Sequence, residues 1–160
     1  MANHSRIRTI INSSILINCR GFLLLLLIFI WGCATAIQYA PIIKYGSNSN
    51  NCPADKVCIY VIRPASFVGS VLHFVVSDNN TEIGVTGPDS YLAWQRDPGT
   101  VNLESKAENI DNYNFIAKAG QSYYVLQSVE PGIISGRNII RPISKDEAEV
   151  YLKKCHPAGN

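Results

Sequence analysis

From Lys56 onward the apolar positions recur at intervals of two, in short runs broken by turn-forming residues. That is the period of strands, whose successive side chains point to opposite faces. Lys56–Arg63 (KVCIYVIR) is dense in β-branched and aromatic residues and stops at Pro64. Val71–Val76 (VLHFVV) is a second apolar run. Asp78-Asn79-Asn80-Thr81 then tolerates positive φ, which predicts a tight hairpin into Glu82–Val85. Further strands are predicted at Ser90–Trp94, Thr100–Ser105, Asn112–Ala117, Ser122–Ser128 and Asn138–Ile143. Their separators carry Gly87-Pro88-Asp89, Asp97-Pro98-Gly99, Glu108–Asp111, Ala119-Gly120 and Pro131-Gly132. No helix-length segment lies between them, so the fold class is mostly β: a small antiparallel β-sandwich, or a barrel, rather than βαβ units. One C-terminal helix closes the chain. Ser144-Lys145-Asp146-Glu147 matches a capping box, and Ala148, Tyr151 and Leu152 supply an apolar stripe before Lys153 and Lys154.

The N-terminus follows another rule. Phe22–Trp31 (FLLLLLIFIW) is ten apolar residues without a break, preceded by Arg6, Arg8 and Arg20. Ten residues fall short of the roughly 20 needed to cross a bilayer but fit the apolar core of a signal peptide. Gly32-Cys33-Ala34 follows, and the whole resembles a bacterial lipoprotein signal. That resemblance implies a lipid on the sulfur of Cys33, and with Ala34 next in line it implies an outer-membrane lipoprotein facing the periplasm. The competing expectation is an uncleaved inner-membrane anchor, one helix running from Phe22 to Ile43 past Gln38 and Pro41. Residues 1–32 are thus a signal or anchor helix, residues 33–55 a flexible tether containing Tyr45–Asn51 (YGSNSNN), and residues 56–157 the β-sandwich domain.

Charge sharpens this division. The three arginines of the leader leave 11 basic residues against 12 acidic ones from Cys33 onward, so the domain's net charge is −1 although the chain's is +2. A domain without a basic footprint is not expected to bind nucleic acid.

Candidate chemistry is sparse. Export makes cysteine pairing plausible, and Cys52, Cys58 and Cys155 are the candidates once Cys19 and Cys33 are set aside. A bridge from Cys52 or Cys58 to Cys155 is favoured, because the longer loop removes more unfolded-state entropy; closure of Cys52 on Cys58 is the alternative. Cys52-x5-Cys58 lacks zinc-knuckle spacing, and only His73 and His156 accompany it in the domain, so no metal or cofactor is expected. Ser70 follows Gly69 without a nucleophile elbow, and His73 sits between Leu72 and Phe74 on a strand without a visible partner. No catalytic residue is assigned. Arg63, ending an apolar strand, is expected at the surface rim, and His156 in a frayed tail. The aromatic residues exceed what one sheet face buries; packing between two sheets is the favoured reading for them, and Phe67, Val68, Tyr91 and Trp94 are the candidate contact surface, with the loop Pro64–Gly69 as its first choice.

From Lys56 to Cys155 the order of pieces resembles the bacterial lipoprotein family known as domain of unknown function 2846. The pieces are Ile59–Pro64, Phe67-Val68-Gly69-Ser70, the hairpin Val75–Gly84, Tyr91, Pro98-Gly99, Ala119–Tyr124 and the capped helix. The resemblance implies a prealbumin-like sandwich at the cell envelope and carries over no catalytic residue. The functional expectation is an exported, membrane-tethered lipoprotein that is not an enzyme and binds a protein partner or an envelope component. The alternatives are a carrier of a small apolar ligand, an envelope scaffold, or the same fold on an uncleaved anchor.

Overall fold

The computed structural model describes residues 36–41, 52–132 and 136–158. The apolar leader, Cys33 and residues 42–51 of the expected tether lie outside the described residues.

Among the described residues ten strands and one helix follow in order: β1 Ile37–Gln38, β2 Val57–Arg63, β3 Phe74–Asp78, β4 Thr81–Thr86, β5 Ser90–Arg96, β6 Gly99–Lys106, β7 Ile110–Ala117, β8 Ser122–Pro131, β9 Gly136–Ile143, α1 Lys145–Leu152 and β10 His156–Pro157. They form two five-stranded sheets, β1-β4-β3-β6-β7 and β10-β5-β2-β8-β9. Pairing is antiparallel except where β2 meets β8 and β10 meets β5. The mostly-β expectation holds, with short antiparallel strands close to the predicted runs and a single short helix among the described residues.

β2 is buried along its whole length because both faces are covered, which is why it reads as a continuous apolar run. Val57, Ile59 and Val61 join a core shared by the two sheets, with Val76, Leu92, Trp94, Val101, Leu103 and Val125. Cys58, Tyr60 and Ile62 face the other way and pack with Tyr91 against Ala148 and Leu152 of α1. The hairpin between β3 and β4 turns at Asn79 (φ 48°) and Asn80 (φ 64°), the left-handed pair that a type I′ connection requires. Ser144 caps α1 by accepting from the backbone N–H of Glu147 at 3.2 Å.

Four expectations are corrected. Residues 36–41 are not free tether: β1 pairs with β4, Ile37 opposite Val85 and Gln38 opposite Gly84. The approach is so close that a Cβ on Gly84 would stand 2.3 Å from the Ile37 carbonyl oxygen. An extended Ile37–Gln38 also rules out one helix from Phe22 to Ile43. The second strand begins at Phe74 rather than Val71, because residues 67–72 form two successive turns, Ser70 N to Phe67 O and Leu72 N to Gly69 O. The C-terminal tail is not frayed, since the His156 and Ala158 N–H groups donate to the Asp89 and Tyr91 carbonyls and Ala158 is buried.

Side-chain amides stitch the two sheets where backbone ladders end. Gln38 on β1 donates to the Ala93 carbonyl and accepts from the Ala93 N–H, bonding β1 of one sheet to β5 of the other. On the far side Asn109, just before β7, does the same with Asn138 of β9, and Asp111 accepts from the Ile140 N–H. Backbone groups that a sheet edge would leave open are thereby satisfied.

Candidate functional site: a loop held from beneath by Arg63

β2 ends at Arg63, and Pro64 then denies the backbone a donor with which to continue the ladder. Arg63 is not at the rim as its sequence position implied: it is 2% exposed. Its guanidinium donates to the carbonyl oxygens of Gly69 at 2.7 Å, Leu72 at 2.6 Å and Thr86 at 3.2 Å. The cation lies 4.3 Å from the Phe74 ring centroid. Among the described residues no carboxylate pairs with it, and burial lowers its pKa to about 10, which leaves it charged at neutral pH. The strand lost at residues 71–73 has its cause here, because two carbonyls of the 69–72 segment face a guanidinium.

Above this clamp the loop 64–72 projects. Phe67 is 98% exposed and Val71 82%, while Val68 is at the margin of exposure. Gly69 adopts φ +76°, and a Cβ there would meet Val129 Cγ1 at 2.7 Å, so the loop sits directly on β8. Between loop, β8 and helix lies a cavity of about 270 Å³, lined by Arg63, Pro64, Ser66, Gln127, Val129 and Tyr151 among others. Among the described residues the lining holds no histidine, carboxylate or cysteine.

Behind the cavity a chain of buried polar groups crosses from sheet to sheet. The Thr86 hydroxyl bonds the Gln127 side-chain oxygen, the Gln127 amide donates to the Ser105 hydroxyl, and Asn138 Nδ2 donates to the Ser105 carbonyl at 2.9 Å. Asn138 Oδ1 ends the chain without a partner. Sequence reading missed Gln127 and Asn138, although the signal was present: Gln127 is two residues from inward-facing Val125, so it shares that face.

Of the four residues expected at the contact surface, the structure brings Phe67 and Val68 to this loop and removes the other two. Tyr91 is 3% exposed against α1, and Trp94 is 2% exposed in the core between the sheets. Trp94 is kept there by a partner for its indole N–H, Asp78 Oδ2 at 3.1 Å, with Arg96 pairing the other carboxylate oxygen. His73 is half-buried against Gly87.

Three cysteines fall among the described residues. Cys52 and Cys58 form the disulfide, with Cα atoms 5.7 Å apart, and Cys155 is a buried free thiol. The favoured bridge to Cys155 fails on geometry: its Sγ lies 3.8 Å from the Arg63 carbonyl, at the opposite end of β2 from Cys58. Five strand residues separate those ends by roughly 16 Å. Burial, with the nearby Asp89 carboxylate adding to it, pushes the Cys155 thiol up to about 12.

No family model matches this chain, and neither does a curated protein or a solved structure.

Proposed function

We propose that the chain is an exported lipoprotein, tethered to the membrane through Cys33, whose β-sandwich of prealbumin-like type works by contact rather than catalysis. The observation that carries this reading is the display of Phe67 and Val71 by a loop whose backbone is bound to a buried guanidinium. Burying a charge is costly. Here the cation fixes a surface element that presents apolar side chains to whatever lies outside. The Cys52–Cys58 disulfide supports export, since such bonds persist in oxidising compartments. The order of sequence pieces resembling domain of unknown function 2846 supports an envelope location.

A protein partner or an envelope component is the expected ligand. Carriage of an apolar ligand between the sheets is not favoured, because Val57, Ile59, Val61, Leu92, Val101 and Leu103 fill that space.

Metabolic labelling with a palmitate analogue tests the tether, comparing the natural chain with Cys33→Ser. Label on the natural chain alone is expected; label retained by the serine variant refutes lipidation at Cys33. A photoactivatable residue at position 67 in intact cells tests the contact. Adducts of discrete mass are expected there and not from position 94, and equal yields from both remove the loop as the contact site.

A further inference from the structure

We propose that the envelope component met by loop 64–72 is the lipid bilayer itself, with Phe67 and Val71 entering its interfacial zone as a second, non-covalent attachment. The proposal rests on the tethered reading above and names the partner of that same loop.

Three observations converge. The first is chemical. Pro64–Leu72 (PASFVGSVL) carries no charged side chain, so entering the interface desolvates no ion of the loop. Arg63 at its base is already withdrawn from water and bound to carbonyls.

The second is rigidity. The loop is held by Arg63 at Gly69 and Leu72 and by two successive turns, so much of the ordering cost has already been met on folding. A free loop would tend to fold its phenylalanine back onto the domain, whereas this one holds it out.

The third is where the chain comes from. A methyl group built on Gly87 would lie 3.1 Å from His73 Nε2 and 3.5 Å from the Ala36 Cβ. The neighbouring Leu72 and Thr86 carbonyls share Arg63. Ala36 therefore stands at the base of this loop, and upstream of it the chain runs to Cys33 and the apolar Phe22–Trp31. Three residues reach at most roughly 11 Å. A lipid on Cys33 would keep the bilayer within that reach of Ala36. A protein partner would have to work into that narrow gap, which is why lipid is the favoured occupant.

The test uses the full chain reconstituted in vesicles of phosphatidylcholine and phosphatidylglycerol, some with brominated acyl chains. Phe67→Trp is made in a Trp31→Phe background, with buried Trp94 as the constant reference. Ile116→Trp is the comparison, an exposed position on β7 two residues before Lys118, near the opposite end of β2. Expected is a blue-shifted emission from the tryptophan placed at 67, lost on bromination, while the one at 116 stays unshifted and unquenched. A vesicle-bound chain whose position 67 remains wet overturns the inference and leaves the tether standing. Equal quenching at 67 and 116 overturns it in favour of general adsorption. A chain that does not sediment with vesicles overturns both readings together.

Discussion

Gln38 and Ala93, 55 residues apart, exchange two hydrogen bonds of 2.8 and 3.0 Å, side-chain amide against backbone amide. The pair closes one seam between the sheets, as Asn109 and Asn138 close the other. Ala93 is fully buried, so its N–H and C=O have no access to water if the glutamine is removed. Gln38→Ala should therefore destabilise the domain by about 2–3 kcal/mol, the cost of leaving two buried backbone groups short of partners. Urea unfolding measures the loss, and hydrogen exchange should quicken at the Ala93 amide; an unchanged midpoint would show that β1 contributes nothing to closure.

Arg63 serves three carbonyls with one planar group. Arg63→Met keeps much of the apolar stem but strands those acceptors, at about 2–4 kcal/mol. Arg63→Lys should recover little, since a compact ammonium does not span three divergent oxygens. Both variants should release loop 64–72, so chymotrypsin should cut after Phe67 under native conditions faster than in the natural chain. Equal cutting rates would mean that the turns alone order the loop.

Cys155 makes stability depend on alkaline pH. Its folded pKa is raised to about 12 from an ordinary thiol value of 9.0, by burial first and Asp89 second. Above pH 9 the unfolded chain releases this proton while the folded chain retains it. The thiol's contribution is therefore present in full below pH 9 and falls between pH 9 and about 12, by about 1.4 kcal/mol per unit. Cys155→Ala should show a shallower decline over that window, measured as the difference between paired urea titrations. Parallel curves would mean that the thiol is solvated. Cys155 should also resist maleimide until the chain unfolds, and its replacement should leave the Cys52–Cys58 disulfide intact.

What sequence could and could not disclose divides along local and non-local physics. Asn79-Asn80 and the Ser144–Glu147 cap are local devices, and both stand where the chain pattern placed them. The strands were legible for the same reason: alternation is written residue by residue. Tyr91 and Trp94 follow the packing reading rather than the contact one: alternation alone does not say how many faces of a sheet are covered, and β5 lies in a sheet packed on both sides, so both aromatics are inside. β1 is two residues long and depends on a glycine 46 positions away, which no local period records. The disulfide was misjudged because loop entropy concerns the unfolded chain and is silent on which sulfurs meet. Arg63 looked like a strand-end charge, and only the folded loop supplies its three carbonyls.

Phe67 and Trp94 separate contact from core. Both were candidate surface residues, yet one is 98% exposed and the other 2%. Phe67→Ser removes a side chain that touches almost nothing in the domain, so its effect on stability should stay within about 0.5 kcal/mol. Trp94→Ala opens the core between the sheets and takes the indole donor from Asp78 Oδ2, which should cost about 3–5 kcal/mol. Function should run the other way. Phe67→Ser, folded as before, should lose the crosslinks that position 71 otherwise forms, whereas a mild core variant such as Trp94→Phe should keep them. A Phe67→Ser chain that crosslinks normally from position 71 would show that Phe67 adds nothing to the contact, which would then rest on Val71.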